Sequence, residues 1–185
     1  VADIIPILRS LPRVTHSLAG EVQFASSLAK GRFGDMLTAR RMTALGYAKL
    51  PSKYNPIHGI DGLFAKRDAS GAILSLVVIE NKVDGGLLFP GQMSDAWIAE
   101  ALSKMATSAD GGARATAQEI GTLIEGGSSL VRKELWHHDL ATGATIVKAL
   151  DADGKPGAVL RSWQDSYIKN RLIDTCRAGS PTCTF

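Results

Sequence analysis

The chain is poor in cysteine and has no long apolar run. Its two cysteines, Cys176 and Cys183, lie close together near the C-terminal end. This spacing permits a local disulfide, resembles no zinc motif, and leaves open whether the two residues pair. No stretch reaches the roughly 18 apolar residues that indicate a membrane-spanning helix. These absences argue against a disulfide scaffold, a zinc-stabilised fold and a helical membrane protein.

The sequence also lacks a phosphate-binding loop and a strong excess of either charge. Gly85 and Gly86 are not followed by Lys-Ser or Lys-Thr at the spacing of a Walker motif, which argues against nucleotide hydrolysis. Lys and Arg total 21 against 18 for Asp and Glu, a formal charge of +3. This small basic excess is a weak indication of an anionic partner such as nucleic acid.

The length of 185 residues fits one ordinary domain with an additional terminal element. We expect an N-terminal helical extension over 1–30 and one α/β domain over 31–185. The apolar stretch 4–11 is too short and too interrupted to be a signal peptide, so we expect the chain to begin inside a longer protein.

Hydrophobic spacing predicts an alternation of helices and strands. Apolar residues recur at helical intervals over 17–29 and 33–45, and Gly46 stands where a C-terminal cap is expected. This order of elements predicts an α/β fold with a central mixed β-sheet flanked by helices. The other predicted elements outside the hairpin are a helix over 92–106 and strands over 47–50, 131–140 and 145–150.

A β-hairpin is predicted in the middle of the chain. Two runs of strand type, 59–66 and 73–82, flank Asp-Ala-Ser-Gly at 68–71, which is typical of a tight turn. The second run is apolar on both faces over 76–79, which indicates a central strand covered by helices on either side.

Three charged residues converge at the open end of this hairpin. Counting back from the turn sets Asp61 opposite Val78, with Glu80 as its diagonal neighbour at a backbone distance of roughly 7 to 8 Å. Residues two apart on a strand share a face, so Asp61, Glu80 and Lys82 are expected on one side of the sheet. A turn longer or shorter by one residue would reverse this parity.

These three residue types suit metal-dependent hydrolysis of a phosphodiester. Two ionised carboxylates this close repel each other unless a cation lies between them. Mg²⁺ or Mn²⁺ fits such an all-oxygen site, because Mg²⁺ commonly takes one or two carboxylates plus water and substrate phosphate. Lys82 could then orient or deprotonate the attacking water, or stabilise the charge that builds on the phosphate. The alternative is that Glu80 and Lys82 only form exposed ion pairs.

Other polar residues suggest weaker hypotheses. His58, three residues before Asp61, is a candidate for contacting a phosphate or a metal, although a loop histidine is more often structural. His137 and His138 invite a zinc interpretation, but adjacent strand residues point to opposite faces and do not share one ion without distortion.

At this point the sequence resembles the PD-(D/E)xK nuclease superfamily, whose members have restriction-endonuclease-like folds. The stretches His58-Gly-Ile-Asp-Gly62 and Val78-Ile-Glu-Asn-Lys82 match its acidic and E-x-K halves. Gly31-Arg-Phe-Gly-Asp35 resembles its first helix, and Gln92-Met-Ser-Asp-Ala-Trp97 is similar to the start of the helix after the E-x-K strand in toxin branches. The resemblance covers about residues 31–106.

The resemblance implies a restriction-endonuclease-like core and an active site held by short motifs. An acidic residue of the first helix often supplies a further metal ligand in this superfamily. Many relatives have Glu at this position, and this chain has Asp35. In toxin branches the Gln and Ser of the later motif approach the metal or the phosphates. The expected site residues are Asp61, Glu80 and Lys82 for catalysis, Asp61, Glu80 and Asp35 for metal binding, and Gln92, Ser94 and His58 for substrate binding.

Among subfamilies the chain looks most like the C-terminal toxin domains of bacterial contact-dependent inhibition and related polymorphic toxins. This implies a metal-dependent endonuclease, with Mg²⁺, Mn²⁺ or alternatively Zn²⁺ as cofactor, that is secreted as the end of a larger surface protein and acts in the cytoplasm of the target cell. DNA is favoured as substrate, with tRNA as the alternative. A cognate immunity protein is the expected partner. A catalytically inactive nucleic-acid-binding module of the same fold is the competing hypothesis.

Overall fold

The computed structural model describes residues 14–16, 22–24, 27–55, 58–164 and 183–184. A small sheet joins the two ends of the chain: strand β1 (Val14–His16) pairs antiparallel with β2 (Val22–Phe24) and parallel with β9 (Cys183–Thr184). The helix predicted over 17–29 is therefore wrong at residues 22–24, and a helix begins only at Ser27. Cys176 lies outside the described residues, so the question of a disulfide stays open.

The main body is a six-stranded mixed sheet with helices on both faces. The strands are β3 (Ala48–Leu50), β4 (Gly62–Arg67), β5 (Ile73–Val83), β6 (Val131–Asp139), β7 (Ala144–Leu150) and β8 (Pro156–Gln164), and the helices are α1 (Ser27–Ala44), α2 (Asp95–Ala106) and α3 (Gly111–Glu125). The strand order in the sheet is β3-β4-β5-β6-β7-β8; β5 and β6 run parallel, and the other neighbouring pairs are antiparallel. The coarse α/β prediction is confirmed.

Strand β5 lies at the centre and buries both of its faces, as its apolar run predicted. Leu76 and Val78 pack in the cluster that includes α2 and α3 residues, while Val77 and Ile79 pack in the cluster that includes Met42 of α1. Alternate side chains of β5 thus point to opposite layers. Among the described residues, none of the helices combines the length and apolar character needed to cross a bilayer.

Local signals define the ends of the helices. Gly46 follows α1 with φ +83°, the left-handed conformation of a C-terminal cap, and its N–H donates to the carbonyl of Thr43. Helix α2 begins after Ser94, whose hydroxyl accepts from the backbone N–H of Trp97. Asp110 caps α3 in the same manner, through the N–H groups of Gly112 and Ala113.

The register of the hairpin differs from the predicted one by two residues. Gly62 pairs with Ile79 and Leu63 with Val78, so extending the ladder by one residue sets Asp61 opposite Glu80 rather than opposite Val78. The connection is longer than predicted, because Arg67 pairs with Ile73 rather than with Ala72, and the ladder is irregular between Lys66 and Arg67. A shift of two residues preserves the face of every side chain, so the predicted parity survives.

The turn between β7 and β8 supports the segment that leads into α2. Gly154 adopts φ +78°, and the carbonyl of Ala152 accepts from the N–H of Asp95. A Cβ at Gly154 would lie 2.2 Å from the carbonyl oxygen of Gln92 and 2.8 Å from the nitrogen of Ser94. Glycine is therefore required twice here, by its backbone conformation and by this close approach.

Substituting Gly154→Ala should lower the free energy of unfolding by at least about 1 to 2 kcal/mol, because a left-handed backbone is costly for alanine and the methyl group collides with the 92–94 backbone. Gly157→Ala is the matched control, since its Cβ would meet only the carbonyl oxygen of Ala149 at 3.8 Å. Urea unfolding followed by circular dichroism measures both. Equal midpoints for the two variants would contradict the tight packing.

A buried polar chain crosses the layer between α1 and the sheet. The Thr38 hydroxyl donates to Oδ1 of Asn81 at 2.6 Å and lies 2.9 Å from Nε2 of His138. The other ring nitrogen of His138 lies 2.9 Å from the Thr145 hydroxyl. Burial of the imidazole, with a smaller effect of the nearby His137, lowers the pKa of His138 to about 4.

This pKa predicts a specific acid sensitivity. In the unfolded chain His138 takes up a proton near pH 6.5, whereas the folded chain resists protonation until about pH 4. As the pH falls through this interval the unfolded state binds more protons, so stability decreases, by up to about 3 kcal/mol. Urea unfolding at neutral pH and near pH 4.5 should show a larger loss for the wild type than for His138→Gln, which does not titrate. Equal losses would show that His138 does not resist protonation.

Candidate active site

Glu80 is a buried carboxylate at the end of the apolar run of β5. The residue is only 4% exposed and lies on the face that α2 and α3 cover. Its Oε1 accepts a hydrogen bond from Nζ of Lys82 at 2.9 Å and another from Nε2 of Gln92 at 2.6 Å. The alternation of β5 explains the first contact, because residues two apart on a strand share a face.

Asp61 lies immediately before β4 and is tied to both neighbouring segments. Its Oδ1 accepts from Nζ of Lys53 at 2.8 Å, and its Oδ2 accepts from the backbone N–H of Asn81 at 3.1 Å. The second bond fixes the Asp61 carboxylate against the backbone between Glu80 and Lys82. The hairpin thereby brings together all three residues that the sequence singled out for catalysis.

Burial and the nearby charge of Asp61 both disfavour the ionised form of Glu80. Burial of the carboxyl, followed by the charge of Asp61, raises the pKa of Glu80 to about 7, although Lys82 and Lys53 act in the opposite direction. Near neutral pH a buried Glu80 anion beside Asp61 is therefore only partly favoured, and additional positive charge would stabilise it.

The donor set fits an oxygen-preferring divalent cation. Among the described residues there is no group of three or more His, Cys, Asp or Glu side chains that could hold a metal ion. The protein ligands that this site can offer are therefore the two carboxylates of Asp61 and Glu80. Mg²⁺ commonly takes only one or two carboxylates and completes its shell with water and phosphate oxygens. Zn²⁺ prefers nitrogen and sulfur ligands and fits this pair less well.

Asp35 stands at the margin of the pair. Its Oδ1 accepts from Nδ2 of Asn81 at 2.9 Å, and burial together with the charge of Asp61 raises its pKa. Asn81 thus links Asp35 on α1 to the hairpin. Its side-chain amide donates to the Asp35 carboxylate, and its backbone N–H donates to the Asp61 carboxylate. Whether Asp35 serves as a third ligand stays a prediction.

The three residues predicted to bind substrate have different positions. Gln92 lines the site and connects it, because its Oε1 lies 3.4 Å from Nζ of Lys82 and accepts from the N–H of Phe89 at 3.0 Å. His58 also lines the cavity, and its ring stacks against that of Tyr54. Ser94 uses its hydroxyl to cap α2 and is not among the residues that line the cavity.

A cavity of about 350 Å³ opens above the two carboxylates. Several of its residues were not singled out as site residues, because they come from segments far apart in the chain and, apart from Trp97, belong to none of the quoted motifs. Lys53 lies in a polar loop, Phe89 precedes α2 and Trp97 lies in the first turn of α2, so only the folded chain brings the three together. The lining residues are Lys53, Tyr54, His58, Gly59, Asp61, Glu80, Phe89, Pro90, Gln92 and Trp97.

The site therefore combines two carboxylates, two ammonium groups and one glutamine at one end of the central strands. Lys82 is 14% exposed in its side chain, which leaves its ammonium close to the cavity but shielded from bulk water. Such an arrangement can hold a cation and place a hydrogen-bond donor beside an anionic substrate. Comparisons with protein-family models, with curated proteins and with solved structures found no match for this chain.

Proposed function

We propose that this chain is a metal-dependent nuclease that hydrolyses phosphodiester bonds, on a core of restriction-endonuclease-like type. The observation that carries the proposal is the pairing of buried Glu80 with Asp61 at one edge of a cavity, with Lys82 hydrogen-bonded to Glu80. A buried acid that repels its neighbour destabilises a fold, so such a pair is typical of a functional site.

Asp61 and Glu80 would hold the divalent cation, Mg²⁺ or Mn²⁺. When bound, such an ion neutralises charge on the phosphate and lowers the pKa of water. Lys82 would orient the attacking water or stabilise the negative charge on the phosphate in the transition state. Gln92 keeps this lysine in place, because its side chain contacts Lys82 and donates to Glu80. Lys53, paired with Asp61, supplies a second positive charge near the substrate phosphates.

The biological setting that we propose is a toxin delivered into competing bacteria. Its supports are the resemblance of the 58–62 and 78–82 motifs to the nuclease superfamily, the similarity of the 92–97 motif to the toxin branches of that superfamily, and the net charge of +3. In this proposal the chain is secreted as the C-terminal part of a larger surface protein and cleaves nucleic acid, with DNA favoured, in the target cytoplasm. An acidic immunity protein would bind the basic substrate site and exclude nucleic acid, with association that weakens in added salt.

The carboxylate pair should be essential for cleavage and dispensable for folding. Glu80→Gln and Asp61→Asn should each reduce cleavage by at least about 100-fold, while thermal stability should change little because removing one charge relieves repulsion. Glu100→Gln is the matched control, since Glu100 is an exposed helix residue paired with Lys104. Oligonucleotide cleavage with Mg²⁺, with Mn²⁺ and with excess chelator measures the effect.

Full activity in excess chelator would refute the metal requirement. Substrate binding without turnover under every metal condition would favour the inactive binding module instead. In bacteria that lack the partner, expression of the wild type should be toxic, and Glu80→Gln should be harmless. A harmless wild type would remove the toxin part of the proposal.

Lys82 should contribute to the chemical step rather than to metal affinity. Lys82→Met should lower kcat by about 100-fold or more, the effect of losing one transition-state donor. Mn²⁺ binding, measured by calorimetry, should be retained, because a cation that competes at Glu80 has been removed. Lys155→Met is the control, since Lys155 is exposed and pairs with the exposed Asp153. If Lys82→Met abolished Mn²⁺ binding, the lysine would be a structural counter-ion of the site.

A further inference from the structure

Aromatic side chains collect around the candidate active site. Phe, Tyr and Trp make up only 6% of the chain. Three of them, Tyr54, Phe89 and Trp97, nevertheless line the cavity that holds Asp61 and Glu80. The three residues come from different segments, which is why the sequence showed no stacking motif. Such a concentration around two carboxylates indicates a ligand that has both an ionic part and a flat apolar part.

Phe89 presents its ring to solvent at the rim of this cavity. The residue is 74% exposed, and Nζ of Lys82 lies 5.7 Å from the centroid of the ring. Its backbone is held in place, because its N–H donates to Oε1 of Gln92. A single exposed apolar residue needs no explanation. Phe89 differs from an isolated exposed residue because its backbone is hydrogen-bonded to Gln92 and its side chain lines the cavity, where it can contact a bound ligand.

The other aromatic rings that line the cavity are supported by neighbouring side chains. The rings of Tyr54 and His58 stack with centroids 6.3 Å apart and planes inclined by 18°. Tyr54 and Trp97 pack partly against the core cluster between the sheet and its two helices. These rings are therefore anchored, and each keeps a surface that borders the cavity.

The charged groups and the rings occupy the same small space. Lys53 and Lys82, each paired with one carboxylate, are suited to a phosphate, whereas the rings are suited to a planar base. In a duplex the bases are stacked and paired, so a base enters a side cavity only after it has been extruded. Single strands and loops offer their bases without this cost.

We propose that Tyr54, Phe89 and Trp97 bind an unpaired nucleobase next to the scissile phosphate, so that the substrate is single-stranded or looped nucleic acid. This inference rests on the proposed nuclease function and narrows its substrate. Stacking on aromatic rings tolerates every base, so little sequence preference is expected. Single-stranded DNA and RNA loops share this chemistry, and the test below separates them.

The first test compares substrates of one sequence as single-stranded DNA, duplex DNA, single-stranded RNA and an RNA hairpin, with Mg²⁺. We expect kcat/KM at least about tenfold higher on unpaired than on paired substrate, and cleavage of the hairpin within its loop. The ratio of kcat/KM on single-stranded DNA to kcat/KM on single-stranded RNA shows whether DNA or RNA is the preferred substrate. Equal or faster cleavage of duplex would overturn the inference and leave the nuclease function standing.

The second test separates binding from chemistry. In excess chelator, fluorescence anisotropy should show that Phe89→Ala weakens single-strand binding about tenfold and that Phe89→Trp restores it. Leu87→Ala is the control, because Leu87 is 81% exposed and is not among the residues that line the cavity. Stacking should also quench tryptophan fluorescence in the wild type, and this quenching should be lost in Trp97→Phe.

These measurements distinguish the two proposals. Absence of cleavage on all four substrates would contradict the nuclease function, and the anisotropy and quenching data would still decide the inference. Equal affinity of wild type and Phe89→Ala for single strands, or tighter binding of duplex than of single strand, would overturn the nucleobase site. A similar loss in Leu87→Ala would also overturn it, because the effect would then belong to a general apolar loop.

Discussion

The structure of the site depends on one unfavourable placement, the burial of the Glu80 carboxylate on the central strand. An isolated anion in such a position would be strongly destabilising, and the side chain instead receives hydrogen bonds from Lys82 and Gln92. Asp61, immediately before the neighbouring strand β4, works against this compensation by raising the pKa of Glu80. Near neutral pH the hydrogen bonds and the two lysines do not fully offset the cost of ionising Glu80. We therefore expect a bound cation to stabilise the charged form of this carboxylate.

The alternation of β5 distributes the polar groups between two layers. Glu80 and Lys82 point to the layer of α2 and α3, while Asn81 between them points towards α1 and contacts both Thr38 and Asp35. The buried chain through Thr38 continues to His138 on the neighbouring parallel strand. The edge that carries Asp61 and Glu80 is therefore fixed from both sides of the sheet, and the Asn81 side chain connects α1 to it.

Periodicity in the sequence was sufficient to predict the central features but not their register. The two-sided apolar run of β5 predicted a central strand, and the face shared by Asp61, Glu80 and Lys82 survived a register error of two residues because strand side chains repeat every two residues. Strand β8 was missed because it is an edge strand, mostly exposed and without alternation. Helix α3 was missed because its initial Gly111 and Gly112 are typical of a loop, although Asp110 marks its cap. The cavity was not predictable, since Tyr54 and Phe89 belong to no quoted motif and the aromatic rings meet only after folding.

Distant backbone packing sets the position of Gln92, the residue that joins the two sides of the site. Met93, directly after it, is buried and has φ +65°, a conformation that non-glycine residues adopt at a cost. That strain persists because the surrounding structure holds the segment: Gly154 approaches the carbonyl of Gln92 too closely for any side chain, and Ser94 begins α2 immediately afterwards. The turn between β7 and β8 thus supports the site through its backbone, although it contributes no side chain to the cavity. Its contribution is to fix a backbone from which one amide reaches Glu80, Lys82 and the N–H of Phe89. In the proposed function, Gln92 would in this way hold both the residues that act on the phosphate, Glu80 and Lys82, and the residue that binds the base, Phe89.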